Sequence, residues 1–162
     1  MPTTITGTDG VSQVQAGAVE SGDLPAGSVL QVKHVVSRTA VDIVASGVVV
    51  DLGLSINITP TSLTSKFLLL AKIQARLVTN GSGFSAVFFR NGSEVRSPGD
   101  YYEIWHDGGD MYTTTNFQYF DEPSTLSSVT YEVKPETYSN SRLMFSQGSR
   151  YDHNLTVMEI AG

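Results

Sequence analysis

The stretch that decides the fold is residues 67–77, Phe-Leu-Leu-Leu-Ala-Lys-Ile-Gln-Ala-Arg-Leu. Every odd-numbered position in it is apolar, whereas the even-numbered positions after Leu70 are Lys72, Gln74 and Arg76. Apolar residues at every second position indicate a β-strand with one face towards a core and the other towards water. The sequence therefore predicts a half-buried strand here.

Further strands are predicted on both sides of this segment, and turn residues separate them. The dipeptide Asn91-Gly92 is typical of a two-residue hairpin, whereas Pro98 to Gly109 is predicted to be a long loop. No segment combines the 3.6-residue apolar period of a helix with helix caps. The other predicted strands are Val29–Val36, Val48–Asp51, Leu54–Thr59, Phe84–Arg90, Glu94–Arg96, Tyr112–Phe120, Ser127–Val133, Arg142–Ser146 and Asn154–Ile160. Short strands at this spacing predict an all-β protein, an antiparallel β-sandwich of jelly-roll type over residues 28–162.

The first 27 residues differ in composition from the rest. They are rich in Gly, Thr, Ser, Asp and Ala and contain no aromatic residue and no sustained apolar period. Such a segment cannot offset its conformational entropy by burial on its own. It is either a disordered tail or an extended arm that orders against neighbouring chains. We expect the arm, with residues 1–27 attaching the domain to a larger assembly.

The charge and the residue types argue against several classes of function. The net charge is −6, the pI is near 4.9 and the ten Lys and Arg residues are scattered, which argues against nucleic-acid binding. There is no Cys for disulfides or thiolate metal sites. The N-terminus does not resemble a signal peptide, and no apolar run is long enough to cross a bilayer. We expect a protein made in the cytoplasm that does not insert into membranes.

Two predicted strands carry apolar residues on both faces. Leu68 and Leu70 alternate with the core residues of the first strand, and Val87 and Phe89 do the same around Phe88. One sandwich interior uses a single face of each strand, so the second face needs cover from a loop or from a neighbouring subunit. A closed three-fold ring would bury the surplus, and these four flanking residues are the predicted trimer interface.

The sequence offers little support for a catalytic or metal site. A metal site or a catalytic triad needs at least two of the histidines, His34, His106 and His153, to converge. Asp121 and Glu122 are adjacent, so on a strand they point to opposite faces and do not flank one glycosidic bond. No nucleophile-elbow, phosphate-loop or zinc-protease motif occurs. We expect no enzymatic activity, no metal and no cofactor.

The aromatic residues concentrate around the predicted long loop. Fifteen positions, 98 to 112, contain Tyr101, Tyr102, Trp105 and Tyr112, with His106 beside the tryptophan. Rigid amphipathic rings are enriched at recognition surfaces, and carbohydrate receptors suit them. These five residues are the predicted receptor-binding site. The alternative is that Trp105 and Tyr102 anchor the loop onto the sandwich.

Four parts of the chain resemble a β-domain found in marine bacteriophage virion structural and tail-fibre proteins. They are Leu52–Pro60 followed by Ser65-Lys66, Asp121–Ser124 leading into Val129–Val133, Asn154–Ala161, and the linker-like Gly7–Val11 and Gly22–Pro25. The resemblance implies a jelly roll similar to the tumour-necrosis-factor type, assembled as a compact trimer. Many such domains end long fibres, whereas 27 residues precede the domain here, which favours a short fibre or direct attachment to the particle.

These observations predict a homotrimeric virion structural protein, a short fibre or tail-associated adhesin on the surface of a phage particle. Residues 1–27 are expected to bind other capsid or tail proteins, and the aromatic cluster is expected to contact host surface glycans. One alternative is a capsid decoration protein that stabilises the head and is present in far more copies per particle. A second alternative is a free carbohydrate-binding module, which needs no arm.

Overall fold

The computed structural model describes residues 23–97, 103–138, 142–145 and 151–162. These ranges contain eleven strands and no α-helix. The strands are β1 (Val29–Ser37), β2 (Val41–Ile43), β3 (Ser55–Ile58), β4 (Lys66–Leu77), β5 (Ser82–Arg90), β6 (Ser93–Arg96), β7 (Ile104–His106), β8 (Met111–Asp121), β9 (Val129–Tyr138), β10 (Leu143–Phe145) and β11 (His153–Ile160). Each pair of neighbouring strands is antiparallel, and the predicted all-β class is confirmed.

The strands form two sheets that enclose one core. In sheet A, β11 and β10 lie end to end along one edge of β4, and β8 pairs with the other edge. β1 pairs with β11 and β2 pairs with β10, so β1 and β2 also lie end to end. In sheet B the order is β3, β9 and β5, with β6 and β7 end to end along β5. Counted this way, each sheet has four strands, and the first and last strands of the chain are neighbours. This is the double Greek-key arrangement of a jelly roll, so the predicted fold is confirmed.

The core lies between the sheets and follows the predicted alternation of β4. The odd-numbered residues of Phe67–Leu77 are buried, and the even-numbered ones point to the outer face of sheet A. Sheet B contributes Phe84, Ala86 and Phe88, which are also buried. The rings of Phe84 and Phe145 meet edge to face, with centroids 5.4 Å apart. The outward side chains of β4 are therefore not part of the core.

The structure confirms one prediction about the connections, corrects two others and adds one strand. Asn91 and Gly92 have φ values of 51° and 77°, as the predicted two-residue hairpin requires. The long loop predicted for Pro98–Gly109 contains the short strand β7, and β2 was not predicted. The strand predicted to end at Val133 continues through Pro135 as β9.

The predicted arm, residues 1–27, is described only from residue 23 onward. Its described end forms a turn in which the backbone N–H of Ser28 donates to the carbonyl of Pro25 at 3.1 Å. The N–H of Gly27 then donates to the carbonyl of Ala161, and the N–H of Ala161 donates to the carbonyl of Ser28, both at 2.8 Å. The N-terminal segment therefore enters the domain beside its last strand.

Candidate functional site

The predicted receptor-binding residues do not form one cluster. Trp105 on β7 is 42% exposed, and its ring packs over Gly83 on the outer face of sheet B. Tyr112 on β8 is 55% exposed and pairs with Arg76 on the outer face of sheet A. The two rings therefore lie on opposite faces of the sandwich, and the structure does not bring them together.

A third residue of that prediction, His106, makes a hydrogen bond within a turn. Nε2 of His106 lies 2.8 Å from the carbonyl oxygen of Gly109 and closes the turn after β7. Tyr101 and Tyr102 lie outside the described residues. Receptor binding by any of the five residues stays a prediction.

The four residues of the predicted trimer interface also divide between the two sheets. Leu68 and Leu70 are half-buried on the outer face of sheet A. Val87 and Phe89 lie on the outer side of sheet B, where Val87 is only 1% exposed. The chain itself covers Val87, so this side chain offers almost no surface to a neighbour. A trimer interface at these positions stays a prediction.

A row of apolar side chains crosses the outer face of sheet A. The strand register places Val32, Met158, Leu68 and Phe120 side by side on β1, β11, β4 and β8. Val32 is 53% exposed and Phe120 is 49% exposed, whereas the two central side chains are half-buried. A contiguous exposed apolar strip is typical of an interaction surface. We call these four residues the apolar row.

The cations of β4 on this face are all held in ion pairs. They are Lys66 with Glu122 at 3.3 Å, Lys72 with Asp152 at 2.6 Å, and Arg76 with Asp110 at 2.5 Å. The hydrogen bond from Lys72 lowers the pKa of Asp152, and the hydrogen bond from Arg76 lowers the pKa of Asp110. The carboxylates therefore stay ionised, and this part of the face carries compensated charge.

Two depressions lie beside each other along β4 on the same face. The first is a slot of about 90 Å³ lined by Tyr112 and Tyr151, whose ring centroids are 6.3 Å apart and whose planes differ by 26°. The guanidinium carbon of Arg76 lies 5.3 Å from the ring centroid of Tyr112. The slot also contains Gln74, whose Nε2 donates to Oγ1 of Thr114 at 3.1 Å. Among the described residues, Oε1 of Gln74 has no hydrogen-bond partner, so it is an unused acceptor.

The second depression is a wider groove of about 340 Å³. It is lined by Leu70, Ala71, Lys72, Asn116, Phe117, Gln118, Asn154 and Thr156. Lys72 in the groove and Gln74 in the slot are successive outward residues of β4, so the two depressions adjoin. We call them together the trough. Its chemistry is aromatic at one end and rich in neutral amides at the other.

The buried polar side chains serve the fold and not this face. Asp121 and Glu159 accept hydrogen bonds from several side chains inside the molecule. Burial lowers the pKa of His153 to about 4, so this side chain is neutral near pH 7. Within the described ranges, no three His, Asp or Glu side chains are grouped so that they could hold a metal ion.

Several residues of the trough were not singled out by the sequence analysis. Tyr151, Asn116 and Gln118 are isolated polar or aromatic positions in the sequence, so no local pattern marks them. The alternation of β8 indicates which of its residues point outward, but not that β8 pairs with β4. The trough depends on that pairing, because it takes side chains from β4, β8 and β11.

Nowhere in the described part of the chain is there a helix with the length and apolar character needed to cross a membrane.

Comparison with known proteins does not assign a family. No family model matches the sequence, and no curated protein matches it. Among solved structures, one described as "Structure of infectious bursal disease virus Gx strain" overlaps with a TM-score of 0.42 at 14% sequence identity. The match covers 83% of this chain and 41% of that chain, so this chain spans less than half of its length. A likeness this loose assigns neither family nor function.

Proposed function

We propose that this protein is a non-enzymatic structural protein of a virus particle that assembles as a homotrimer through the outer face of sheet A. The observation that supports the proposal is the apolar row, which crosses all four strands of that face. A jelly roll can serve many functions, so the fold alone indicates none of them, whereas the exposed apolar row is typical of an interaction surface. Leu68, one of the predicted interface residues, lies in the middle of the row.

The size and charge of the face are suited to self-association. Four strands about 4.8 Å apart and the 12 residues of β4 at about 3.3 Å each give the whole face a flat area of roughly 750 Å². This area exceeds the lower limit of about 600 Å² per partner for specific protein interfaces, so an interface of that minimum size leaves part of the face uncovered. The ion pairs of Lys66 and Lys72 with acidic residues of the same chain leave little net charge on the face, so two copies of it would not repel each other.

The rest of the proposal follows the sequence resemblance. We assign residues 1–27 to attachment to other capsid or tail proteins, and the jelly roll to the outside of the particle, as in a short fibre or tail-associated adhesin. An adhesin also contacts its host, and surface glycans are the ligands that we propose. A decoration protein of the head is distinguished by its copy number, which is in the hundreds per particle for decoration and far lower for a fibre.

The experiment is light scattering on the purified chain and two variants. The wild type is expected to have three times the mass of the 17.4 kDa chain. Leu68→Glu places a charge in the apolar row and is expected to give monomers, whereas Val44→Glu, exposed outside the row, is expected to remain trimeric. A wild type of any other mass overturns the trimer. A trimer that survives Leu68→Glu overturns the role of the apolar row.

A further inference from the structure

We infer that the trough binds a neutral, linear oligosaccharide, with one sugar ring against the tyrosines of the slot and the following rings across the amides of the groove. The inference gives the proposed attachment role a ligand class and rests on it for its biological meaning. It places the site on sheet A around Tyr112 and Tyr151, and not on sheet B around Trp105.

The slot supplies the apolar contact that a sugar ring needs. One face of a pyranose ring consists largely of C–H groups, and it packs against an aromatic ring as any flat apolar surface does. Tyr112 is more than half exposed, and Tyr151 stands beside it with nearly parallel ring planes. Arg76 beneath Tyr112 fixes the ring, so little side-chain freedom is lost when a ligand binds.

The groove supplies hydrogen bonds for the hydroxyl groups. A side-chain amide both donates and accepts, which suits hydroxyls that do the same. Asn116 and Gln118 point outward from β8, and Asn154 faces them across β4. In the described part of the molecule, these three amides are not engaged by other side chains. The buried acceptor on Gln74 adds one more group at the junction with the slot.

The charge pattern favours a neutral ligand over an acidic one. Lys72 and Arg76 border the trough, but each is already paired with an aspartate of the same chain. An acidic sugar would therefore have to displace Asp152 or Asp110 before it gained a cation. The hydroxyls of a neutral sugar meet no such competition.

The tyrosine slot of the trough lies at the opposite end of β4 from the apolar row. Leu68 in the row and Arg76 in the slot are eight residues apart on β4, which is about 26 Å along an extended strand. A neighbouring subunit seated on the row therefore leaves the tyrosine slot accessible. The groove borders the row, because Leu70, Gln118 and Thr156 lie next to the row residues on their strands, whereas the slot lies at the far end of the face.

The experiment is calorimetric titration of the full chain with neutral trisaccharides, namely maltotriose, cellotriose, mannotriose and chitotriose. At least one is expected to bind. Tyr112→Ala is expected to weaken that binding about tenfold or more, because central aromatic side chains dominate small interfaces. Asn116→Ala is expected to weaken it by a smaller factor. Trp105→Ala is the matched control, because it removes an exposed aromatic ring from the opposite face and is expected to leave the affinity unchanged.

The outcomes separate this inference from the proposed assembly. Failure of all four sugars to bind overturns the trough as an oligosaccharide site. Binding that is lost in Trp105→Ala and kept in Tyr112→Ala overturns it as well and moves the site to sheet B. A monomer that binds with the expected dependence on Tyr112 overturns the trimer only, and a trimer that binds no sugar overturns the trough only.

Discussion

Oη of Tyr131 donates a hydrogen bond of 2.6 Å to Oδ2 of Asp121 and thereby joins the two sheets through the core. Tyr131 is on β9 of sheet B, and Asp121 is the last residue of β8 in sheet A. The carboxylate also accepts from Nη1 of Arg90 on sheet B, at 3.0 Å to each oxygen. Burial, and then the hydrogen bond to Asp121, raise the pKa of Tyr131, so its hydroxyl stays a donor at all physiological pH values.

Removing this hydroxyl tests the link between the sheets. Tyr131→Phe is expected to lower the free energy of unfolding by about 1–2 kcal/mol, because a buried carboxylate loses one of its donors. Urea unfolding followed by circular dichroism measures the change. Tyr112→Phe on the exposed face is the control and is expected to change stability by less than about 0.5 kcal/mol. Equal stability of both variants and the wild type would contradict the assigned role.

A second prediction concerns the buried carboxylate of Glu159, whose oxygens accept hydrogen bonds from four groups. They are Nε2 of Gln31 at 2.5 Å, the backbone N–H and Oγ1 of Thr61 at 2.6 and 2.8 Å, and Oγ of Ser65 at 2.5 Å. Glu159→Gln replaces one acceptor with an NH₂ group that faces these donors. We expect a loss of about 2–3 kcal/mol in the free energy of unfolding at pH 7. A loss below about 0.5 kcal/mol would show that the site rearranges without cost.

Glu159 also makes the fold sensitive to strong acid. Burial alone would raise its pKa, but the hydrogen bonds from Ser65, Thr61 and Gln31 outweigh that effect and lower the pKa below 4.5. A lowered pKa means that the stabilisation is present above the unfolded value and is lost as the pH falls through the folded one. As the pH falls below 4.5, the free energy of unfolding is therefore expected to decrease less in Glu159→Gln than in the wild type.

His153 predicts a separate loss of stability at milder pH. Its pKa is lowered by burial from 6.5 to about 4, so the unfolded chain binds a proton before the folded chain does. Stability therefore falls as the pH drops from about 7 to about 4, by roughly 3 kcal/mol for a shift of this size. Chemical denaturation at several pH values should show that the free energy of unfolding falls less steeply with decreasing pH in His153→Gln than in the wild type. Identical slopes would mean that His153 does not titrate as inferred.

A final prediction concerns Gly83, where β7 packs on β5. A Cβ atom at this position would lie 2.6 Å from the carbonyl oxygen of Ile104 and 2.9 Å from Cε3 of Trp105. Gly83→Ala is expected to cost about 1–3 kcal/mol by overpacking and to shift the fluorescence of the only tryptophan. Gly109→Ala, which meets no atom within 4 Å, is the control. Unchanged fluorescence in Gly83→Ala would contradict the packing of Trp105 on this glycine.

The fold could be predicted from the sequence where local periodicity and burial agree. The alternation in Phe67–Leu77 matches the burial of β4, and Asn91-Gly92 forms the hairpin expected of it. The burial of Val87 could not be predicted in the same way, because other parts of the chain cover the outer side of β5 at this residue. Glu103 donates its backbone N–H to Oγ of Ser85 at 3.1 Å, which places Glu103 on the outer side of β5. No local pattern in β5 indicates that cover.

Pro135 explains why the length of β9 was underestimated. A proline argues against a central strand because it donates no backbone hydrogen bond. The register partner of Pro135 is Ala86, and the backbone of Ala86 needs no hydrogen bond from the proline. The N–H of Ala86 donates to Oε2 of Glu103, and the carbonyl of Ala86 accepts from Nη1 of Arg96. On its other side Pro135 only accepts, from the N–H of Val50. The proline is tolerated because of distant residues, which sequence reasoning does not bring together.

The candidate site was the least predictable part, for a related reason. Trp105 and Tyr112 are close along the chain, and this closeness alone predicts one aromatic cluster. The turn at residues 107–110 carries the chain from sheet B to sheet A, so proximity in sequence becomes separation on opposite faces. Conversely, Tyr112 and Tyr151 are distant in sequence and meet in the slot.

The entry of the N-terminal segment beside β11 has a mechanical consequence. β1 and β11 share eight register pairs, from Val29 with Ile160 to Ser37 with His153. A tether that pulls on the N-terminal segment along the axis of β1 loads this ladder in shear, so many rungs must break at once. A pull across the strand peels the rungs one after another from Val29 inward. An anchorage in line with β1 therefore lets the domain withstand a much larger force than an anchorage at right angles to it.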